Sequence, residues 1–171
     1  MALPIITYGN PELKKKANLI TERSPDIDRL IFEMYDTIVK SNAVGLAAPQ
    51  VDRLLSLFIV IYNDFNQVFI NPEIIEYSTI KGNSYEGCLS IPDISNYVVR
   101  SKKIKIKYFD ADFKYHIAEY TNDIAYIIQH EYDHLNGVLF TDLISPLSKK
   151  IINNKLEKIR KKKFNVKYRT K

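Results

Sequence analysis

The chain has 171 residues, of which 46% are hydrophobic and 26% are charged, and its formal net charge is +5. This length and composition are typical of one folded domain and exclude an intrinsically disordered chain. No apolar run approaches the ~20 residues that cross a bilayer, and the first residues form neither a signal nor a transit pattern. A single cysteine excludes an intrachain disulfide. We therefore expect one cytoplasmic domain spanning residues 1–171, without membrane contact.

The first predicted elements are a helix and an antiparallel meander. Ser24 and Pro25 indicate a helix start, and apolar residues at helical spacing then predict a helix that ends near Lys40. Segments that are rich in β-formers or alternate in polarity follow this helix. They predict strands at residues 57–62, 68–71, 73–77, 97–100, 103–108 and 115–120, with residues 81–83 in a loop.

Two further helices are predicted in the C-terminal part of the chain. Thr121 or Asn122 caps a helix that ends near Gly137, and residues 145–146 (Ser-Pro) start the last helix. Together with the antiparallel strands, these helices predict an α+β fold with an N-terminal and a C-terminal helix.

Basic residues concentrate at the C-terminus. Eleven of the 25 Lys and Arg residues lie between Lys149 and Lys171, with Glu157 as the only acid there. The rest of the chain carries 14 basic and 19 acidic residues. This asymmetry favours an anionic partner for the basic tail, about residues 146–171, and a solubilising, frayed end is the alternative interpretation.

The strongest chemical signal is a His-Glu-x-x-His pattern on the second predicted helix. His130 and His134 stand four residues apart, so their side chains project to one face about one turn apart. Two imidazoles can bind one metal ion, and the carboxylate of Glu131 beside them can take the proton of an attacking water. A solvated helix that contains the pattern by chance is disfavoured, because the chain has only three histidines.

A catalytic tetrahedral metal site needs a third protein ligand and keeps its fourth position open. No histidine follows His134, and the only acids after it are Asp142 and Glu157. Cys88, in a glycine-bounded segment upstream, is the better candidate, although a solitary cysteine is more often a buried, inert thiol. At this point a metallopeptidase and a basic RNA-binding module with a structural metal both stay open as alternatives.

Three segments together resemble the signature motifs of the peptide deformylase family. They are residues 45–50 (Gly-Leu-Ala-Ala-Pro-Gln), 86–90 (Glu-Gly-Cys-Leu-Ser) and 130–134 (His-Glu-Tyr-Asp-His), in the family's order. The similarity extends over nearly the whole chain, in the form that has a helical, basic C-terminal tail. It implies antiparallel sheets packed around a central helix that carries residues 130–134. The implied activity is removal of the formyl group from the N-terminal formylmethionine of new polypeptides, which releases formate.

The resemblance also implies roles for individual residues. Cys88, His130 and His134 match the metal ligands, and Glu131 matches the general acid and base that takes a water proton and delivers it to the leaving amine. The side-chain amide of Gln50 and the backbone N–H of Leu89 match the donors for the developing oxyanion. Without the motif, Gln50 would be interpreted as an ordinary loop amide. Residues implied to bind the substrate or to support the site are Val44, Gly45, Gly87, Tyr126, Ile127, Glu86, Arg100 and Asp133.

Within that set, the backbone of Val44, Gly45 and Gly87 would pair with the extended peptide. Tyr126 and Ile127, with Val44, would form the walls of the methionine pocket. Glu86 and Arg100 match a supporting ion pair, although either residue alone would be interpreted as a surface charge. Asp133 would orient the metal ligands. His116 is expected to be structural.

Two positions depart from the family pattern. Ala43 stands where the family usually has a glycine. Alanine is the mildest replacement for glycine if the backbone φ there stays negative. Tyr126 stands where the family generally has an aliphatic residue, and we predict that it narrows or caps the methionine pocket.

The implied cofactor is one divalent metal ion per chain. The ligand set alone favours Zn(II), because Fe(II) lies lower in the affinity series. The resemblance implies Fe(II) natively, with Zn(II), Ni(II) or Co(II) as substitutes.

The implied partners are N-formylated nascent peptides and the ribosome, which the basic C-terminal helix would contact. We expect a monomer. Because the tail is interpreted as either a ribosome contact or a frayed end, deletion of residues 161–171 is predicted to leave turnover of a short formyl-peptide nearly intact.

Overall fold

Helix α2 packs against strands of two antiparallel sheets in the computed structural model, which describes residues 1–171. The strands are β1 Gly45–Ala47, β2 Leu57–Tyr62, β3 Phe65–Tyr77, β4 Lys81–Cys88, β5 Ile91–Ser101, β6 Lys103–Phe109 and β7 Tyr115–Thr121. The helices are α1 Pro25–Ser41, α2 Asn122–Leu135, α3 Phe140–Leu143 and α4 Pro146–Arg160, with short 3-10 helices at Pro11–Lys14 and Ala48–Val51. The α+β prediction is confirmed, and no helix is both long and apolar enough to cross a membrane.

The larger sheet has the strand order β1-β2-β3-β6-β7, and every neighbouring pair is antiparallel. A two-residue turn joins β2 to β3, where Asn63 adopts a left-handed φ of 52°. The predicted strands 68–71 and 73–77 belong to one strand, β3, because β-bulges between Ile70 and Glu76 let it continue along β6.

Strands β4 and β5 form the smaller sheet. The prediction of a loop at residues 81–83 is wrong, because these residues begin β4 and pair with Ser101, Arg100 and Val99 of β5. Glycine and asparagine have a low propensity for strands. At position 82, however, only glycine fits, because a Cβ there would overlap the hydroxyl of Tyr126. The partner strand and the tertiary contact thus override the local propensity.

Helix α1 begins and ends as its sequence predicts. The Ser24 hydroxyl accepts a hydrogen bond from the Ile27 N–H (3.4 Å), and Asn42 ends the helix with a left-handed φ of 54°. The apolar face of α1, including Met34 and Ile38, packs with β1, β2 and Ile5 in a first apolar cluster. Helix α2 and the opposite face of the larger sheet form a second cluster, to which Ile128 belongs.

The chain after α4 is ordered and returns to the N-terminus. The backbone N–H of Ile5 donates to the Arg169 carbonyl, and the Lys171 N–H donates to the Ile5 carbonyl, both at 2.9 Å. We call residues 164–171 the C-terminal segment. The interpretation of the tail as a frayed end is therefore wrong for this segment, which is held by backbone hydrogen bonds in a parallel bridge to Ile5.

Candidate active site

Three side chains that suit a metal ion converge where α2 meets the end of β4. The ligand atoms of Cys88, His130 and His134 all lie within 4.8 Å of one another. Cys88 Sγ is 3.3 Å from His134 Nε2, and the two imidazole rings are 5.0 Å apart between centroids. Helical spacing puts the two histidines on one face, and β4 ends at the cysteine opposite them.

The donor set and the unsatisfied atoms beside it fit a divalent metal ion. One thiolate and two imidazoles are soft and borderline donors that bind Zn(II) and Fe(II), and three protein ligands leave a position open. His134 Nδ1 and Glu131 Oε2 are buried without a hydrogen-bond partner. Unpartnered buried polar atoms are uncommon in folded proteins, and the Glu131 atom belongs to a side chain that lines the same cavity as Cys88 and His130.

A buried ion-pair network orients His130. Its Nδ1–H donates to Glu86 Oε2 at 2.8 Å, which leaves Nε2 for the ligand cluster. Arg100 binds Glu86 with two hydrogen bonds, of 2.8 and 2.9 Å, and Asp133 with a third, of 2.5 Å. Arg100 is only 5% exposed and Glu86 only 7% exposed, so the surface-charge interpretation of this pair is wrong.

The same network sets the electrostatics of Glu86. Burial would raise the pKa of this carboxyl, but the hydrogen bonds from Arg100 and His130 outweigh burial and hold the pKa at about 2. Glu86 is therefore ionised at neutral pH and stabilises the Nδ1–H tautomer of His130.

Glu131 lies inside the protein beside strand β1. It is 4% exposed, and burial raises its pKa to about 7. A Cβ on Gly45 would overlap its Oε1 atom. The absence of a side chain at position 45 thus makes room for the Glu131 carboxylate next to the histidines.

Gln50 is held in one orientation at the other side of the ligand cluster. Its Oε1 accepts the Ala47 N–H at 2.9 Å, which turns Nε2 towards Cys88 Sγ and Ser90 Oγ, each at 3.3 Å. Leu89 lies between those two residues in the turn after β4. Gln50 is 2% exposed, so it is not an ordinary loop amide.

A cavity of about 420 Å³ opens beside this cluster. Its lining includes Val44, Gly45, Gln50, Glu86, Gly87, Cys88, Leu89, Tyr126, Ile127, His130 and Glu131. Of the residues singled out in the sequence, Arg100, Asp133 and His134 lie outside this lining, the first two in the network behind His130. His116 lies on β7 and contacts Asp110 at 2.6 Å.

The two departures from the family pattern have definite places. Ala43 has no left-handed φ, and the neighbouring Asn42 takes that conformation instead. Tyr126 lines the cavity, and its hydroxyl reaches Gly82 on β4. An aromatic side chain therefore spans from α2 to β4 at the edge of the cavity.

Sequence reasoning missed several cavity residues, among them Val166 and Tyr168 of the C-terminal segment. The signal that could have found these two is a strand-like alternation. Phe164, Val166 and Tyr168 are partly buried, whereas the residues between them are exposed.

Comparisons with known proteins agree with the motifs. A family model described as polypeptide deformylase matches residues 2–150. A peptide deformylase of Christiangramia forsetii is 42% identical, covering 99% of this chain and 95% of its own length. One of Cytophaga hutchinsonii is 40% identical and covers 100% and 97%.

Solved structures give the same result for the fold. A peptide deformylase from Legionella pneumophila superposes with a TM-score of 0.87 at 32% identity, covering 94% of this chain and 96% of that one. The enzyme from Thermotoga maritima superposes with a TM-score of 0.83 at 38% identity, covering 85% and 99%.

Proposed function

The chain belongs to the polypeptide deformylase family, and from this premise we propose that the cavity beside α2 is its active site. The family's activity is hydrolytic removal of the N-formyl group from newly made polypeptides, and this chain is a metal-dependent hydrolase of that kind. One observation carries the assignment of the site: the three metal-binding side chains meet beside a buried, unpartnered carboxylate oxygen of Glu131.

Cys88, His130 and His134 would hold the metal ion. Bound there, a divalent cation supplies Lewis-acid activation of the formyl carbonyl and of the attacking water. On the family resemblance we propose Fe(II) as the native ion, with Zn(II), Ni(II) or Co(II) able to use the same ligands. Metal analysis of anaerobically purified protein, with activity measured per bound metal, tests that identity: iron-free protein of full activity would contradict it.

Glu131 moves the proton in this proposal. Water oxygen adds to the formyl carbon while one water proton passes to the Glu131 carboxylate. The same proton then goes to the nitrogen of the substrate as the C–N bond breaks, which yields a free amine and formic acid. The acid, which keeps the second water proton, ionises to formate in solvent. The unpartnered Oε2 atom of Glu131 supports this role, because a buried carboxylate oxygen without a hydrogen-bond partner is free to take a proton from water.

Gln50 and Leu89 would stabilise the charge that develops on the formyl oxygen. The Ala47 N–H fixes the Gln50 side chain so that its amide donors face the cavity side of Cys88. The backbone N–H of Leu89 would be the second donor. Donors held in place before the reaction do not have to reorganise when the oxyanion forms.

The substrate peptide would bind as an extended strand. Strand β1 is at the edge of the larger sheet, and β4 has β5 on one side only. Val44, Gly45 and Gly87 line the cavity near these two strands, which supports the proposal that their backbone groups would pair with the peptide. Val44, Tyr126 and Ile127 would then enclose the side chain of the first residue.

The expectations about partners follow from the same assignment. We propose that residues 1–171 act as one cytoplasmic, monomeric domain and that the basic face of α4 contacts the ribosome. Lys149, Lys150, Lys155 and Lys158 of α4 are exposed and suit a phosphate-rich surface. Such binding would weaken steeply with added salt.

Formate release from formyl-Met-Ala-Ser by the metal-loaded protein tests the proposed activity at this site. Release of formate with the peptide chain intact is the expected result. Cleavage at an internal amide would instead indicate a metallopeptidase. A metal that stays bound in a protein with no hydrolytic activity would indicate a structural site.

A further inference from the structure

The C-terminal segment forms part of the wall of the cavity. Val166 and Tyr168 line it together with the signature residues, although both lie outside residues 2–150, which the family model matches. The segment therefore adds two side chains to a cavity whose other walls come from β1, the β4–β5 sheet and α2.

Alternating side chains hold the segment against the protein. Phe164 packs against a third apolar cluster, which includes Leu156 and Ile159 of α4. Tyr168 packs against the first cluster. The backbone is bonded to Ile5, as described above. Lys171 also pairs with Asp52, next to the 3-10 helix that carries Gln50.

Tyr168 is bonded directly to the turn after Cys88. Its hydroxyl donates a hydrogen bond to the Leu89 carbonyl at 2.7 Å. Partial burial and the nearby groups of Cys88 and Asp93 raise the pKa of Tyr168, so its hydroxyl stays protonated and can donate. This bond fixes the aromatic ring at one rim of the cavity.

Tyr168 and the proposed methionine pocket are supported by different apolar clusters. Ile127 of that pocket packs against the second apolar cluster, whereas Tyr168, like Ala43 and Leu89, packs against the first. A peptide whose first side chain contacts Ile127 would therefore present a later residue to the C-terminal segment.

We propose that Val166 and Tyr168 contact the second or third residue of the formylated peptide and determine which residues are preferred there. The proposal rests on the proposed function, since it assigns the same cavity to the formylated peptide. It gives the C-terminal segment a role in substrate selection that is separate from the basic charge of α4.

The test compares substrates that do and do not reach the segment. Val166→Ala and Tyr168→Ala are assayed on formylmethionine amide and on formyl-Met tripeptides with varied second and third residues. For Val166→Ala we expect kcat/KM for the tripeptides to fall about fivefold or more, mainly through KM, while the value for the amide changes less than about twofold. For Tyr168→Ala, which also removes the hydrogen bond to the Leu89 carbonyl, we expect a loss on the amide too, but a loss on the tripeptides that is about fivefold larger. Asn165→Ala, on the exposed side of the same segment, is the matched control and should match the wild type.

An equal loss on the amide and on every tripeptide would overturn the proposal, because it would mean that the segment only supports the fold. Unchanged values for both variants would overturn it as well. If Tyr168→Ala does not fold, as judged by thermal melting, Val166→Ala carries the comparison.

A binding measurement separates this proposal from the proposed activity. The chain has no tryptophan, so Tyr168→Trp introduces a single, selectively excitable tryptophan at the cavity and Asn165→Trp introduces one on the exposed side. Titration of the metal-loaded protein with Met-Ala-Ser should shift the emission of the first variant and not the second. No shift, or the same shift in both, would overturn the proposal that the C-terminal segment contacts the peptide. A shift in the first variant only, with no formate release by wild type, would overturn the proposed function and leave peptide binding at Tyr168 standing.

Discussion

Gly45 lies so close to Glu131 that a Cβ at position 45 would come within 2.9 Å of the Glu131 carboxyl carbon. The strand that would bind the peptide and the residue that would move the proton are thus packed against each other. We predict that Gly45→Ala displaces the carboxylate and lowers kcat about tenfold or more while the metal content stays that of the wild type. Ala43→Gly, two residues earlier, is the control and should change kcat less than about twofold. Full kcat in Gly45→Ala would show that the carboxylate can shift without loss.

Tyr126 sets the size of the first-residue pocket in our account. It extends from α2 to Gly82, where its hydroxyl fills the space of a side chain. Tyr126→Ile should widen the pocket and raise relative kcat/KM for formylated residues bulkier than methionine by about tenfold, the lower end of the range for one methylene group. Tyr115→Ile, at an exposed position on β7, is the matched control. An unchanged order of preference in Tyr126→Ile would refute this assignment.

The Arg100 network should contribute strongly to stability. Replacing Arg100 by Met leaves Glu86 and Asp133 without their buried partner, which we expect to cost about 3–5 kcal/mol in the free energy of unfolding. Urea unfolding of the metal-loaded protein measures this cost. The exposed pair of Lys103 and Glu119 is the comparison, and Lys103→Met should cost less than about 1 kcal/mol. Equal costs for the two variants would contradict the burial argument.

Sequence alone predicts that deletion of residues 161–171 leaves turnover nearly intact, whereas the contacts of residues 164–171 in the structure predict a loss. Because the C-terminal segment binds Ile5 and lines the cavity, removal of residues 164–171 should lower both the melting temperature and kcat/KM on formyl-Met-Ala-Ser. Replacement of Lys150, Lys155 and Lys158 of α4 by glutamine leaves the segment in place and should only weaken ribosome binding, with a shallower salt dependence. Wild-type turnover after the deletion would restore the earlier expectation from sequence.

Elements with a regular pattern could be predicted from the sequence. The predicted bounds of β2 agree with the structure because its residues are strongly β-forming. The predicted bounds of α1 and α2 agree closely because both helices have apolar residues at helical spacing and capping residues in the sequence. The start of β4 could not be predicted, because Gly82 and Asn83 are in a strand only through pairing with β5 and packing of Tyr126. Long-range contacts of this kind leave no local pattern.

The same distinction applies to the candidate site. The spacing of His130 and His134 indicates a shared face directly, whereas the proximity of Cys88 follows only from the fold or from resemblance. Arg100 looks like a surface charge in sequence, since nothing local shows that it lies behind His130. The basic residues around Tyr168 indicate an exposed tail, so they give no sign that Tyr168 lines the cavity. Only its alternation with Phe164 and Val166 indicates partial burial.

Glu131 is the residue on which the account depends most. The decisive measurement is formate release from formyl-Met-Ala-Ser by wild type and by Glu131→Gln, each loaded with one metal ion per chain. We predict formate release by the wild type and at least about a 100-fold lower kcat for Glu131→Gln at unchanged metal content, as expected for loss of the proton-transferring group. Absence of formate from fully loaded wild type, or wild-type kcat in Glu131→Gln, would contradict it.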